Sequence, residues 1–508
     1  MPESSDIRAW IDAHRRRRQS NKVLHGHPSP MFWLDREVPI CDVMANRRTA
    51  AETMRKKINL YVGTPYCLPT QPDRCGFCLF PSEVYRNRQQ LDTYLNYLRR
   101  EGELFRPWLG GAELASIYFG GGTSNLYRAD QYAPLMGIVR ELFDIPSDIE
   151  VTLEGIPQTF TREKLEAMQA AGINRISMGV QQLDDELIKA SGRRQNAAQV
   201  FDTVDACRDL GLPLSIDLIF GWPNQTVDHM LSDLRALVAT GITHITNYEL
   251  NVAGRTDFSR NRRHELPTTE QNLEMYRIGR DYLVAEGFRQ TTPYDFERAG
   301  PVPSAYLYEE LFRQPFRMGD ANGHAGANGH GNGAGRRHPG ANGHGNGVGR
   351  GHPGETLVGY DAWGWGFAGI SFFFGAPDSP GWAYMNHVRV DDYFRDLDAG
   401  RFPVMRGFHY TPEDLHLHLL FQEMQGLEVD GARFRALTGR DVVADYRAIW
   451  GELAELDWVR VEDQQIRILG DGAFYLPLIQ NLMARDRLEE MRRERVAGVA
   501  GASAFSAA

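Results

Sequence analysis

Three of the five cysteines in this 508-residue chain, Cys67, Cys75 and Cys78, fall within twelve positions, in the run TPYCLPTQPDRCGFC. A [4Fe–4S] cube takes one thiolate on each iron, so three thiolates leave one iron open to a small molecule. A structural zinc ion asks for a fourth Cys or His close by, and Gly63 to Arg86 holds none besides these three. Cys41 lies upstream and Cys207 sits in the helical pattern Val204-Asp205-Ala206-Cys207-Arg208; both read as ordinary buried thiols. A small, odd number of cysteines and an opening without a signal-peptide pattern argue against disulfides and for a reducing cytoplasm.

Such a loop needs a scaffold to present it. From Ile58 to Leu250 short apolar runs alternate with amphipathic stretches, the pattern of repeated βα units. The expected strands are Ile58–Gly63, Ser116–Gly120, Ile149–Glu154, Arg175–Gln181, Leu214–Phe220 and His244–Leu250. Leu91, Tyr94, Leu95 and Leu98 recur at helical spacing, as do Val227, Met230, Leu231 and Leu234. Gly172, Gly211 and Gly241 stand where helix-ending glycines belong. The fold class is therefore α/β, a partial (β/α)6 TIM-like barrel, with the cysteine loop directly after the first strand, at the end where such barrels do chemistry.

The rest of the chain differs in kind. ANGHGNGAGRRHPG (327–340) is followed by ANGHGNGVGRGHPG (341–354), a duplication with two substitutions. So glycine-rich a tract should be a disordered loop, and its neighbourhood carries His324, His330, His338, His344 and His352, which permit metal binding. Gly359–Ser371 resumes ordered sequence, Thr411-Pro412-Glu413-Asp414 starts a helix, and alternation around Val459-Arg460-Val461 and Ile466-Arg467-Ile468 makes a small hairpin, giving a winged-helix-like α+β domain. The expected organisation is an extension over 1–57, the barrel over 58–316, the Gly/His insertion over 317–354, a barrel-closing segment over 355–405, a C-terminal domain over 406–490 and a flexible tail over 491–508. A net charge of −10 offers no basic stripe for nucleic acid, and no apolar run approaches the roughly 20 residues of a membrane span.

Seven motifs in order carry a family resemblance: Tyr61-x-x-x-Pro65-Tyr66-Cys67, Cys75-Gly76-Phe77-Cys78, Phe119-Gly120-Gly121-Gly122-Thr123, Glu154-x-x-Pro157, Ser177-Met178-Gly179-Val180-Gln181, Arg193-x-Gln195 and Asp217-Leu218-Ile219-Phe220-Gly221-x-Pro223. With them the chain resembles radical S-adenosylmethionine enzymes of the oxygen-independent coproporphyrinogen III oxidase type, over Ile58 to Met483 without the insertion. The resemblance implies a [4Fe–4S] cluster on Cys67, Cys75 and Cys78, with S-adenosylmethionine on the free iron, cleaved by a reduced cluster to methionine and a 5′-deoxyadenosyl radical. It further implies that Phe77 flanks the adenine, that Gly120, Gly121, Gly122 and Thr123 meet the methionine moiety, and that Glu154, Gln181, Arg193 and Asp217 contact the cofactor. Relatives among the class C methyltransferases and cyclopropanases hold a second S-adenosylmethionine, and Tyr61 matches a tyrosine near it.

The chain departs from the family at several points, and residues 1–57 carry no match to the N-terminal substrate-binding pattern of coproporphyrinogen oxidases. Seven residues separate Cys67 from Cys75 where the family has three, Gly63 replaces a histidine, and Ser124 replaces a proline. These differences set it apart from porphyrinogen decarboxylation more than from radical chemistry. The expected activity is transfer of a one-carbon unit to an unsaturated or aromatic carbon of a small-molecule substrate, with electrons from a donor such as flavodoxin or ferredoxin. Oxidative decarboxylation of porphyrinogen propionates and haem delivery are the alternatives.

Overall fold

The computed structural model describes residues 4–17, 26–33, 38–252, 256–300, 307–319, 356–376 and 379–494. The duplicated Gly/His tract, its five histidines and the tail from Ala497 lie outside the described residues.

Alternation builds the first strand. In β1 (Arg55–Thr64) the apolar Ile58, Leu60 and Val62 sink into the main core, which turns Asn59 and Tyr61 to the opposite face. Five strands follow in parallel and in chain order: β2 (Glu113–Gly121), β3 (Glu150–Gly155), β4 (Arg175–Gln181), β5 (Leu214–Phe220) and β6 (His244–Glu249). Every expected strand is present, its ends within three residues of expectation. The first intervening helix, Arg88–Leu109, buries Leu91, Tyr94, Leu95 and Leu98 as its spacing requires. Gly172 and Gly211 end their helices in the left-handed conformation; Val227–Val238 instead caps at Ala239, with Gly241 turning after it.

The sheet does not stop at six strands. β7 (Asp295–Glu297) adds antiparallel to β6. On the other edge β8 (Thr356–Gly366) runs parallel to β1, and β9 (Ile370–Ala376), β10 (Ser379–Asn386) and β11 (Val404–His409) continue antiparallel in a 13-stranded mixed sheet. Tyr248 on β6 lies within reach of the charge of Tyr118 on β2, four strands away, so the parallel part is curled into an open barrel. Helix Leu307–Arg313 closes its lower end: the Glu150 carboxylate accepts from the Leu307 and Tyr308 amides at 2.7 and 3.4 Å, and Asn59 Nδ2 donates to the Tyr308 carbonyl at 3.0 Å.

The C-terminal domain begins at helix Pro412–Gln425, capped by the Thr411 hydroxyl as its sequence indicates. Val459–Glu462 and Gln465–Ile468 form the expected hairpin, and Glu428–Asp430 joins it as a third strand. Helix Ser4–His14 packs on helix Arg447–Ala454, and helix Ile40–Ala50 packs on β9 and β10. That placement corrects one expectation. Cys41 is exposed, because the buried face of its helix runs through Ile40, Val43, Met44 and Ala50; Cys207 is buried.

Candidate functional site

The cysteine loop is tied off at its base by backbone. Tyr66–Cys67 pairs in parallel with Glu83–Val84, Cys67 facing Val84, and the Tyr85 amide donates to the Cys67 carbonyl at 2.7 Å. Cys75 and Cys78 lie inside the span so closed, Cys78 N donating to the Arg74 carbonyl at 3.1 Å. The Cys67 thiol stands 3.3 Å from the Thr123 hydroxyl. Burial pushes the Cys67 thiol up and the Cys78 thiol up to about 12, and each of the two also feels the charge of Cys75. Thiols so placed stay protonated unless a bound cation makes up for the lost hydration. Among the described residues no three His, Cys, Asp or Glu side chains converge on a single point as a lone metal ion would need.

The glycine triplet is fixed by the protein's own backbone. Gly122 N donates to the Thr64 carbonyl at 2.6 Å, and a Cβ at Gly122 would stand 2.5 Å from the Tyr66 carbonyl oxygen. At Gly120 a Cβ would fall 2.9 Å from the Tyr61 hydroxyl and 3.0 Å from Glu154 Oε2. Only glycine keeps that space between tyrosine and carboxylate open.

Accessibility along the strands picks out the cavity wall. β3, β4 and β5 are almost wholly buried, yet Glu154, Gln181, Asp217 and Ile219 each retain some exposure, as do Tyr61 on β1 and Tyr248 on β6. These residues line a lumen that opens at the carboxyl ends of the strands. Burial, then the neighbouring Asp217, pushes the Glu154 carboxyl up to about 7, while Tyr118, whose hydroxyl donates to Glu154 Oε2 at 3.3 Å, and Arg193 pull it down. Burial and then Asp295 push Asp217 up to about 6, opposed by His244 and by the Ser177 hydroxyl, which donates to Oδ2 at 3.2 Å.

Arg193 joins the two halves of the site. It is only 9% exposed. Its Nη2 donates to the Gly179 carbonyl at 2.6 Å, and its Nε is buried with no acceptor among the described residues. Burial lowers the guanidinium's pKa, and the charges of Cys75, Cys67, Cys78 and Glu154 hold it up. A cation buried next to thiols, with one donor unspent, fits an anionic cluster and a carboxylate-bearing ligand. Gln195 pins the same region, Nε2 donating to the Val180 carbonyl at 2.5 Å.

The structure thus gathers Cys67, Cys75, Cys78, Gly120, Thr123, Glu154, Arg193 and Asp217 around one end of the barrel. Gln181 joins them on a left-handed backbone, φ 70°. Phe77 sits at the edge of a separate apolar cluster, its ring 5.0 Å from Trp222 and 6.1 Å from Phe258. Tyr61 lies in the lumen, stacked on Tyr118 at 5.8 Å and 6.4 Å from Tyr308. The sequence reading missed Tyr118, Ile219, Tyr248 and Tyr308; period-two counting from Asp217 finds Ile219, whereas Tyr118 and Tyr248 emerge only from the strand register, opposite Tyr61 and Ile219.

The family model of the Radical SAM superfamily matches residues 72–237, beginning inside the enlarged loop. The chain is 31% identical over 276 residues to the heme chaperone HemW of Bacillus subtilis, a match covering 53% of this chain and 70% of that protein. It is 30% identical over 248 residues to the heme chaperone HemW of Haemophilus influenzae, covering 48% of this chain and 63%, under two thirds, of that relative's length. The structure of coproporphyrinogen III oxidase (HemN) from Escherichia coli, a radical SAM enzyme, aligns with TM-score 0.70 at 21% identity over 90% of this chain and 96% of that one. At that identity the likeness is one of fold.

Proposed function

Because the chain belongs to the radical SAM superfamily and is similar to proteins named heme chaperone HemW, we propose that Cys67, Cys75 and Cys78 hold a [4Fe–4S] cluster and that the lumen above β2–β5 receives S-adenosylmethionine. When bound, the cluster supplies the single electron that splits a sulfonium carbon–sulfur bond. The remaining work falls to side chains. Arg193 spends its free Nε on the carboxylate of the methionine portion, Gly120 leaves room for that portion against Glu154, and Glu154 and Asp217 accept from its ammonium and from ribose hydroxyls. Buried carboxyls near neutrality suit this role, since an arriving cation restores their charge. The observation that carries the reading is the Arg193 guanidinium, buried with an unspent donor within charge reach of three thiols and one carboxylate.

The finer reading is haem handling. Sequence likeness to proteins named heme chaperones supports it over one-carbon transfer, which rests on the sequence resemblance alone. An anaerobic assay separates the outcomes. Reconstituted protein is titrated with haem, then incubated with dithionite and S-adenosylmethionine in the presence and absence of porphyrinogen or an aromatic acceptor. Stoichiometric haem binding without consumption of S-adenosylmethionine supports delivery. S-adenosylhomocysteine together with 5′-deoxyadenosine supports one-carbon transfer instead, and 5′-deoxyadenosine with porphyrinogen-dependent CO2 supports decarboxylation. Failure to bind haem overturns the finer reading.

A further inference from the structure

The seven residues between Cys67 and Cys75 are structured rather than slack. The Thr70 hydroxyl accepts from the Cys75 amide at 2.8 Å and donates to the Pro72 carbonyl at 2.8 Å. Those two bonds hold a difficult backbone, because Arg74, Cys75 and Gly76 are all left-handed, with φ 50°, 56° and 72°. Two of the three carry a Cβ, which this conformation penalises, so the surroundings must enforce it. Pro72 helps from below: a Cβ at Gly76 would meet its Cγ at 2.7 Å.

The same loop touches the segment that carries Arg193. Gly192 has φ 68°, and a Cβ there would stand 2.2 Å from the Gln71 carbonyl oxygen and 2.7 Å from the Gln71 nitrogen. Gln71 backbone therefore lies flat on Gly192, one residue before the guanidinium that faces the thiols. We propose that Thr70 is a positioning residue, and that Thr70 and Gln71 clamp the enlarged loop so that Cys75 and Arg193 are held in mutual register. This inference rests on Cys75 being a cluster ligand.

Thr70→Val keeps the shape and removes both hydrogen bonds; Thr70→Ser keeps both. Gly192→Ala leaves Thr70 intact and pries the two segments apart. Each variant, with wild type and Cys75→Ala, is loaded with iron and sulfide anaerobically and followed by hydrogen exchange across 68–78, by cluster loss to a chelator, and by the electron paramagnetic resonance of the reduced cluster with and without S-adenosylmethionine. Thr70→Val should exchange the Cys75 amide about tenfold faster, the loss of one hydrogen bond, and shed its cluster faster by a similar factor, while Thr70→Ser stays within about twofold of wild type. Gly192→Ala should keep its cluster and lose most of the spectral shift that S-adenosylmethionine induces; this arm carries the test if Thr70→Val does not fold. Wild-type exchange and spectra in Thr70→Val, or a Thr70→Ser as impaired as the valine variant, would overturn the clamp. A Cys75→Ala protein that retains a full cluster overturns the ligand assignment beneath it, which is a different failure.

Discussion

At the residue scale, charge and space at the barrel mouth decide what binds. Arg193 feels the charge of all three thiols and of Glu154; in the proposed role Arg193→Gln should weaken S-adenosylmethionine binding by about 10- to 100-fold, the range for a charge-assisted hydrogen bond. Equilibrium binding measured on cluster-loaded protein tests this, and unchanged affinity would remove Arg193 from the site. Gly120→Ala places a methyl 2.9 Å from the Tyr61 hydroxyl and 3.0 Å from Glu154. It should cost about 1–3 kcal/mol in denaturant unfolding through overpacking and abolish S-adenosylmethionine binding even where the chain folds. Motif residues such as Glu154 and Asp217 were legible because a carboxylate on an apolar strand demands a reason. Tyr118 and Tyr248 were not, since a strand tyrosine looks the same whether it faces a core or a cavity. Thr70 was hidden for another cause: its partner is a backbone amide, which leaves no mark in the sequence.

At the element scale, helix Arg88–Leu109 is anchored to the far side of the sheet by one acid. Glu101 is fully buried and accepts from the Gly366 amide at 2.9 Å, Asn386 Nδ2 at 2.8 Å and the Tyr393 hydroxyl at 2.6 Å. Burial nevertheless pushes its carboxyl up to about 7 from 4.5. An acid raised by folding holds its proton more tightly in the native state, so its contribution is complete below about pH 4.5 and fades as pH rises through 7. Unfolding free energies measured between pH 5 and 8 should fall with pH, and Glu101→Gln should flatten that slope by about 3 kcal/mol across the window. A slope unaltered by the substitution would mean that another group sets it. The six parallel strands were readable from alternation and spacing, because both are local. The pairing of β8 with β1 was not, for it joins residues some three hundred positions apart. The ribbon Tyr66–Cys67 with Glu83–Val84 is too short to leave any periodicity.

At the scale of the whole molecule, the first and last segments are locked together by Asp414. Its carboxylate is fully buried, accepts from Arg487 Nε at 2.9 Å and Nη2 at 3.0 Å and from the Thr411 hydroxyl at 2.7 Å, and faces His27 Nε2 at 3.3 Å. Burial alone would raise its pKa, but the hydrogen bonds from His27, Arg487 and Thr411 overcome that and hold it well below the usual carboxylate range. Stability from a depressed acid is fully present above the unfolded value near 3.8 and is lost as pH falls below it and through the lower folded value. Asp414→Ala should therefore cost about 3–5 kcal/mol at neutral pH and, in thermal unfolding, make stability less sensitive to acid below pH 4 than in the wild type. None of this lock bears directly on the proposed chemistry, which rests on the cluster assigned above to Cys67, Cys75 and Cys78. Iron and sulfide analysis of anaerobically loaded protein, paired with electron paramagnetic resonance of the reduced state, tests it most directly. The expected result is about four iron and four sulfide per chain, loss of the cluster in each of Cys67→Ala, Cys75→Ala and Cys78→Ala, and a spectrum that shifts when S-adenosylmethionine is added. A cluster that survives any of those substitutions, or a spectrum indifferent to the nucleotide, would contradict it.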